Sequence, residues 1–198
     1  ALYEILEKEV VPLFYDRGRD GLPRRWIQRM KTAIRTICPV FNTNRMVQEY
    51  TERFYIPCTL RRAALRADKR KRSIALTAWK DKVHKNWHQV RVMNLHAGRT
   101  ENLLYGSSLA VTADVYLDSI GTSDVVVEIF FGDVDPSGNI PRGSVVTMRH
   151  TQDRGNNVYR FEGAIPCEKT GQQGFSVRVI PSHKDLANKH ETALITWA

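Results

Sequence analysis

The stretch Trp79-Lys80-Asp81-Lys82-Val83-His84-Lys85-Asn86-Trp87-His88-Gln89-Val90-Arg91-Val92-Met93-Asn94-Leu95 holds the change of period on which the fold turns. Up to Trp87 the large apolar residues recur every four positions. With Leu65 and Leu76 upstream, Trp79, Val83 and Trp87 lie roughly along one stripe of a helix running from about 60 to 86. From His88 to Leu95 the spacing becomes two, which sends successive side chains to opposite faces of a strand. The chain therefore reads as helical before this point and β after it.

Downstream, Leu109, Val111, Ala113, Val115 and Leu117 alternate in the same way, and further strands are expected at 125–131, 144–148, 158–165, 175–180 and 193–197. Turn-rich segments such as Asp135-Pro136-Ser137-Gly138-Asn139 and Arg154-Gly155-Asn156-Asn157 separate them. About seven short strands predict an all-β, immunoglobulin-like sandwich. Upstream, Leu2, Ile5, Leu6, Val10, Leu13 and Phe14 predict an amphipathic helix that Pro12 kinks or ends. Pro23 opens a second, with Trp26, Met30, Ala33, Ile34 and Ile37 as its stripe and Cys38-Pro39 as its close. A third begins near Asn42, Thr43 or Asn44 and runs through Met46, Val47, Tyr50 and Phe54 to Pro57. The fold class is α+β, with three expected segments: helices at 1–57, a basic connecting helix at 58–87 and the sandwich at 88–198.

Composition removes several function classes. The 198 residues, 42% hydrophobic and 26% charged, suit a folded chain rather than a disordered one. No apolar run approaches the ~20 residues of a membrane span, and Ala1-Leu2-Tyr3-Glu4 has no signal-like character, so a cytoplasmic protein is expected. Helical periodicity starting at Leu2 without a lead-in reads as an excised piece. Cys38, Cys58 and Cys167 are odd in number and widely spaced, which predicts buried free thiols rather than disulfides or a zinc site. Eleven basic against two acidic residues between 61 and 91 carry a charge equal to the whole-chain +9.

Few residues suggest chemistry. Gly121-Thr122-Ser123 lies between strands without a following lysine or helix start, so it reads as a turn rather than a phosphate cradle. His84 and His88 stand four apart but lack a third metal ligand nearby, and Asp133 and Asp135 flank a turn. The run Lys69-Arg70-Lys71-Arg72 with Trp79 and Trp87 is the feature most open to polyanion binding, since cations neutralise phosphates and aromatics stack on bases. Core spacing of the tryptophans favours a solvated basic face instead. Tyr105, Tyr116, Phe130, Tyr159, Phe161 and Phe175 offer either a sugar-stacking platform or core, with Tyr159 and Phe161 on one face.

Two further stretches carry a resemblance. Residues 9–17, Glu-Val-Val-Pro-Leu-Phe-Tyr-Asp-Arg, followed by 21–31, Gly-Leu-Pro-Arg-Arg-Trp-Ile-Gln-Arg-Met-Lys, resemble the C-terminal end of the catalytic body in short α-glucan phosphorylases. Residues 42–55, with Arg45 and Tyr50, are similar to the helix that closes glycogen and maltodextrin phosphorylases, and Trp26 with Arg29 fits the wider family. The β half resembles a sandwich appended to the short forms, through residues 174–183 and the ending Leu194-Ile195-Thr196-Trp197-Ala198. The resemblance implies a parent of the GT-B arrangement that uses pyridoxal phosphate to transfer a glucosyl unit of an α-1,4-glucan to phosphate, giving glucose 1-phosphate. The family's cofactor lysine follows its Gly-Thr-Ser by three residues, where this chain has Val126. No catalytic, cofactor-binding or metal residue is therefore assigned here. The expected partners are the upstream catalytic domains and, through the sandwich, α-glucan or a second copy; nucleic acid and membrane are not expected.

Overall fold

Asn42 has extended backbone, and its side-chain oxygen accepts a hydrogen bond from the Arg45 N–H at 2.9 Å, satisfying one of the donors that a helix start leaves unpaired. Helix α4 (Thr43–Tyr50) begins there. Before it come α1 (Leu2–Ile5), which runs through a π-helical stretch (Leu6–Val10) into α2 (Val11–Tyr15), and α3 (Arg24–Thr36). After it a second π-helical stretch (Thr51–Tyr55) leads into α5 (Ile56–Asn86). The structure, a computed structural model, describes residues 1–98 and 103–198.

The prolines do not act as expected. The sequence predicts a helix ending at Pro57 and a kink or end of the first helix at Pro12, but the backbone stays helical through both. Each proline lies two residues beyond a π stretch. Just before each one, the Val11 and Ile56 N–H groups donate five residues back, to the Leu6 and Thr51 carbonyls. Widening the turn accommodates a ring that would otherwise press on the preceding turn of an α-helix. What interrupts α5 is instead the segment Ala67–Arg70, where Asp68, Lys69 and Arg70 all have φ between 47° and 65°.

The chain divides into two units, Ala1–Arg62 and Ala63–Ala198. In the first, no helix contributes a buried residue. Cys38 and Cys58 are exposed free thiols, which corrects the expectation of burial; Cys167 is half-buried.

The second unit holds the core. Among the described residues, eight strands form two antiparallel sheets: β1 (Arg91–Ala97), β2 (Ser108–Tyr116), β6 (Val158–Pro166) and β5 (Arg149–Gly155) in one, and β4 (Gly143–Thr147), β3 (Val125–Asp133), β7 (Gln173–Pro181) and β8 (Thr196–Trp197) in the other. Val111, Ala113, Val115 and Phe161 from the first sheet join Val127, Ile129, Val177 and Val179 from the second in one cluster. Each fully buried Val, Ile or Phe side chain contributes about 2 kcal/mol. At Gly163 an added Cβ would stand 2.9 Å from Ile129 Cδ1, so glycine there permits the facing strands their approach. Leu76, Trp79, Val83 and Trp87 of α5 and its following turn complete the cluster, as their spacing predicts. Three strand expectations need correction: the alternation from His88 becomes a strand only at Arg91, the turn expected at 154–157 overlaps the end of β5, and the final strand is only two residues long, with Ala193 at φ 55° outside it.

Candidate functional site

The basic run is the first candidate, and its downstream half is tied to the unit it packs on. Lys80 Nζ lies 2.6 Å from Glu191 Oε1 and Lys82 Nζ 3.3 Å from Asp124 Oδ2, while Arg72 pairs with the buried Asp185. The Arg72 hydrogen bond holds the Asp185 carboxyl below the usual carboxylate range, against its desolvation. Trp79 Nε1 donates to Asp124 Oδ1 at 2.9 Å, and the Trp79 ring lies 4.9 Å from that of His183. The tryptophans offered to nucleic-acid bases in the alternative reading are thus buried in the protein's own core. Those three cations join α5 to the connections that flank the second sheet.

Asp124 also decides the Gly121-Thr122-Ser123 segment. This is a single turn, Thr122–Asp124, in which the Asp124 carboxylate accepts from the Gly121 N–H at 3.3 Å. The donor a phosphate would need faces a carboxylate, and Val126 stands within β3 where a cofactor lysine would be required. These residues do not fit pyridoxal phosphate.

The remaining candidates separate in the same way. His84 and His88 are exposed, and His88 lies in the tighter turn Trp87–Gln89, off the helical register, with its Nε2 2.9 Å from Gln89 Nε2. Among the described residues no group of three His, Cys, Asp or Glu gathers to hold a metal ion, and no helix is long and apolar enough to cross a membrane. Asp135 Oδ1 accepts from the Ser137 and Asn139 N–H groups, each at 2.9 Å, which makes it a turn residue. Asp133 binds Gln173 and Lys169, and these hydrogen bonds hold its carboxyl below the ordinary value.

Of the aromatic candidates, Phe161 is core and Tyr159 shares its face, both packing on the His150 ring at 5.6 Å. Phe175 packs against the core from its margin, and Tyr116 donates its hydroxyl to Asp118. Tyr105 is exposed beside a cleft of about 750 Å³ that Phe131, Ile165 and Phe175 help to line. Phe130 is different: it stands on the outer face of the second sheet, its ring 5.9 Å from that of Trp197, with the Arg178 guanidinium 5.5 Å from both. Sequence reasoning missed Trp197 and Arg178 as partners of Phe130. The signal was present only as register, since Arg178 stands opposite both Glu128 and Trp197 in strands distant in sequence.

Most of the exposed large apolar side chains among the described residues belong to the helical unit. Leu2, Ile5, Leu6, Phe14, Met30, Ile34, Ile37, Met46, Val47, Tyr50, Phe54 and Ile56 are all exposed, and they include much of the stripes that the periodicity defines. Within the unit the contacts are local, such as Phe14 on Trp26 at 5.5 Å and Tyr50 on Phe54 at 5.5 Å. An apolar surface of this kind marks an interaction site rather than a solvated face.

Comparison with known proteins gives a consistent picture. A family model described as the glycogen phosphorylase C-terminal domain matches residues 87–198. Over its whole length the chain is 32% identical to the maltodextrin phosphorylase of Thermococcus litoralis and 31% identical to the glycogen phosphorylase of Mycobacterium tuberculosis. Over 55 residues, 28% of the chain, the identity to part of the glycogen phosphorylase of Aquifex aeolicus, 8% of that protein, is 49%. The chain spans only 22% and 23% of the length of the first two of these curated relatives.

Proposed function

This chain belongs to the glycogen phosphorylase C-terminal domain family, and from that premise we propose that it is the non-catalytic C-terminal region of an α-glucan phosphorylase. The parent activity in this reading is reversible phosphorolysis of α-1,4-glucan to glucose 1-phosphate with pyridoxal phosphate. The cofactor and the reacting groups then lie on the parent's other domains. The helices of Ala1–Arg62 complete the GT-B body, and the two sheets form an appended immunoglobulin-like sandwich.

One observation carries this reading. A helical unit that buries no residue and turns Leu6, Met30, Met46, Tyr50 and Phe54 to solvent lacks the surface against which such stripes fold. Each of these side chains contributes about 2 kcal/mol when it is covered, and most amphipathic helices are held by such packing rather than by propensity. The relatives are about four times longer than the chain, which leaves ample protein to supply the missing face.

The test is complementation. The preceding domains of the parent, produced without this region, should be inactive or insoluble, and co-production with the chain should restore glucose 1-phosphate formation. Replacing Tyr50 and Phe54 by serine should weaken restoration at least tenfold without altering the β unit's circular dichroism. Glucose 1-phosphate formation by the chain alone would overturn the proposal, as would full activity of the preceding domains without it.

A further inference from the structure

The outer face of the second sheet carries a built aromatic trough. Residues 128, 130 and 132 of β3 share this face with 143, 145 and 147 of β4, with 174, 176 and 178 of β7 and with Trp197 of β8. At one end Glu128 is buried under a three-way cluster: its carboxylate accepts from Arg178 Nε at 2.8 Å and from Lys189 Nζ at 3.1 Å, where the β7–β8 connection folds back over the strands. At the other end three glycines stand side by side, Gly143, Gly132 and Gly174. An added Cβ on Gly132 would lie 3.0 Å from Ile140, and one on Gly174 would lie 2.6 Å from Val134, so the β3–β4 connection is folded back there. Between these two covers lie three residues of β3, within a span of roughly 13 Å from residue 128 to residue 132 at ~3.3 Å per residue.

The floor of that opening is aromatic and held in place. The Phe130 ring lies over Gly143, where a Cβ would come within 2.4 Å of it. Small Ser176 stands opposite Phe130 and leaves room for Trp197 to reach the Phe130 ring, which it meets at an interplanar angle of 77°. Arg178 is fixed by Glu128 and lies near both rings, so its guanidinium is oriented rather than free. Trp197 nevertheless remains 45% exposed and Val145 38% exposed. Ordering a tryptophan against a second ring and an arginine beside a lane of small residues, and then leaving that tryptophan half-exposed, is the arrangement of a ligand surface rather than a core.

The geometry points to a sugar-binding surface for an α-1,4-glucan chain, with a pyranose C–H face stacked on the exposed side of Trp197, a ring that Phe130 and Arg178 hold in place, and hydroxyls hydrogen-bonded to Ser176. Ring faces carry the negative side of the aromatic quadrupole and attract polarised C–H groups. The trough is long enough along the strands for a chain lying across them. The choice of an α-glucan over other glycans rests on the phosphorylase reading above; the stacking itself does not.

Native electrophoresis of the 198-residue chain through gels containing glycogen, with titration of maltoheptaose and cellohexaose followed by tryptophan fluorescence, tests the assignment. Glycogen should retard the chain, and maltoheptaose should bind at least tenfold more tightly than cellohexaose. Trp197→Ala and Gly143→Ala should each weaken maltoheptaose binding at least tenfold, the second by displacing the Phe130 ring. Trp197→Phe should retain most of the affinity, and Tyr105→Ala, outside the trough, all of it. Unretarded migration of the folded chain overturns the assignment, and so does retardation that survives both Trp197→Ala and Gly143→Ala. Equal binding of the β-linked glucan rejects the α-glucan choice while leaving the complementation result untouched. Concentration-dependent sedimentation abolished by Trp197→Ala, without glucan binding, assigns the surface to a second copy and overturns the proposal.

Discussion

Asp114 is a buried carboxylate on the outer face of the first sheet, and its neighbours explain why it is tolerated. Arg160 reaches it with Nε at 2.7 Å and Nη2 at 2.9 Å, Asn94 donates from the strand on the other side at 3.4 Å, and Arg154 stands 4.0 Å away. The Arg160 hydrogen bonds hold this carboxyl below the ordinary aspartate range; desolvation opposes them, and Asn94 and Arg154 add to them. A depressed folded-state value means the stabilisation is complete above the unfolded carboxylate value of ~3.9 and is lost as the pH falls from there through the folded value. Asp114→Ala should therefore lower the urea-derived stability by about 2 kcal/mol near neutral pH, as expected for a charge-assisted bidentate pair. The gap to the parent chain should narrow in titrations below about pH 4. A gap independent of pH would mean that packing, not the ion pair, carries the effect. Alternation along β2 marks Asp114 as outward-facing, but its burial depends on Arg160 and Arg154, which come from strands that no local pattern joins to it.

At the scale of elements, legibility followed apolar content. The core-facing part of α5 and the inward alternation of β2, β3, β6 and β7 were readable because burial imposes a period on large side chains. β5 was not, since Arg149 to Gly155 are all exposed, and register shifts at His150/Gln152 and Asp153/Gly155 break what polar alternation there is. Edge strands with charged side chains and bulges are protected from pairing with other chains by the same features that hide them from a pattern search. The break in α5 was equally silent, because Asp68, Lys69 and Arg70 are unremarkable helix residues by composition, yet all three adopt left-handed backbone. That conformation costs roughly 1–2 kcal/mol for a side-chain-bearing residue and almost nothing for glycine. Lys69→Gly should thus raise the thermal midpoint of the chain. In an uninterrupted helix the same change would lower stability by about 1 kcal/mol, so the sign of the shift, read by calorimetry, tests whether the break is present in solution.

For the whole molecule, family membership was legible from residues 9–55 and the last strands, whereas the aromatic trough required the register of three strands that only folding brings together. Exposure of the helical stripes was not legible either, because periodicity reports that a face is apolar and not what covers it. The division at Arg62/Ala63 turns that difference into a measurement. The cluster of buried residues lies wholly between Leu76 and Val179, and Arg72, Lys80 and Lys82 contribute their ion pairs from within the same unit. A chain of residues 63–198 should therefore fold by itself and unfold in one cooperative urea transition, as small domains with a single core do. The 198-residue chain should bind a hydrophobic-surface dye strongly through its exposed helical stripes, and the 63–198 chain should bind several-fold less. If the shorter chain is unfolded by near-ultraviolet circular dichroism, the core of the second unit is insufficient on its own. If dye binding is unchanged by the deletion, the apolar surface that supports the docking role does not reside in the helices.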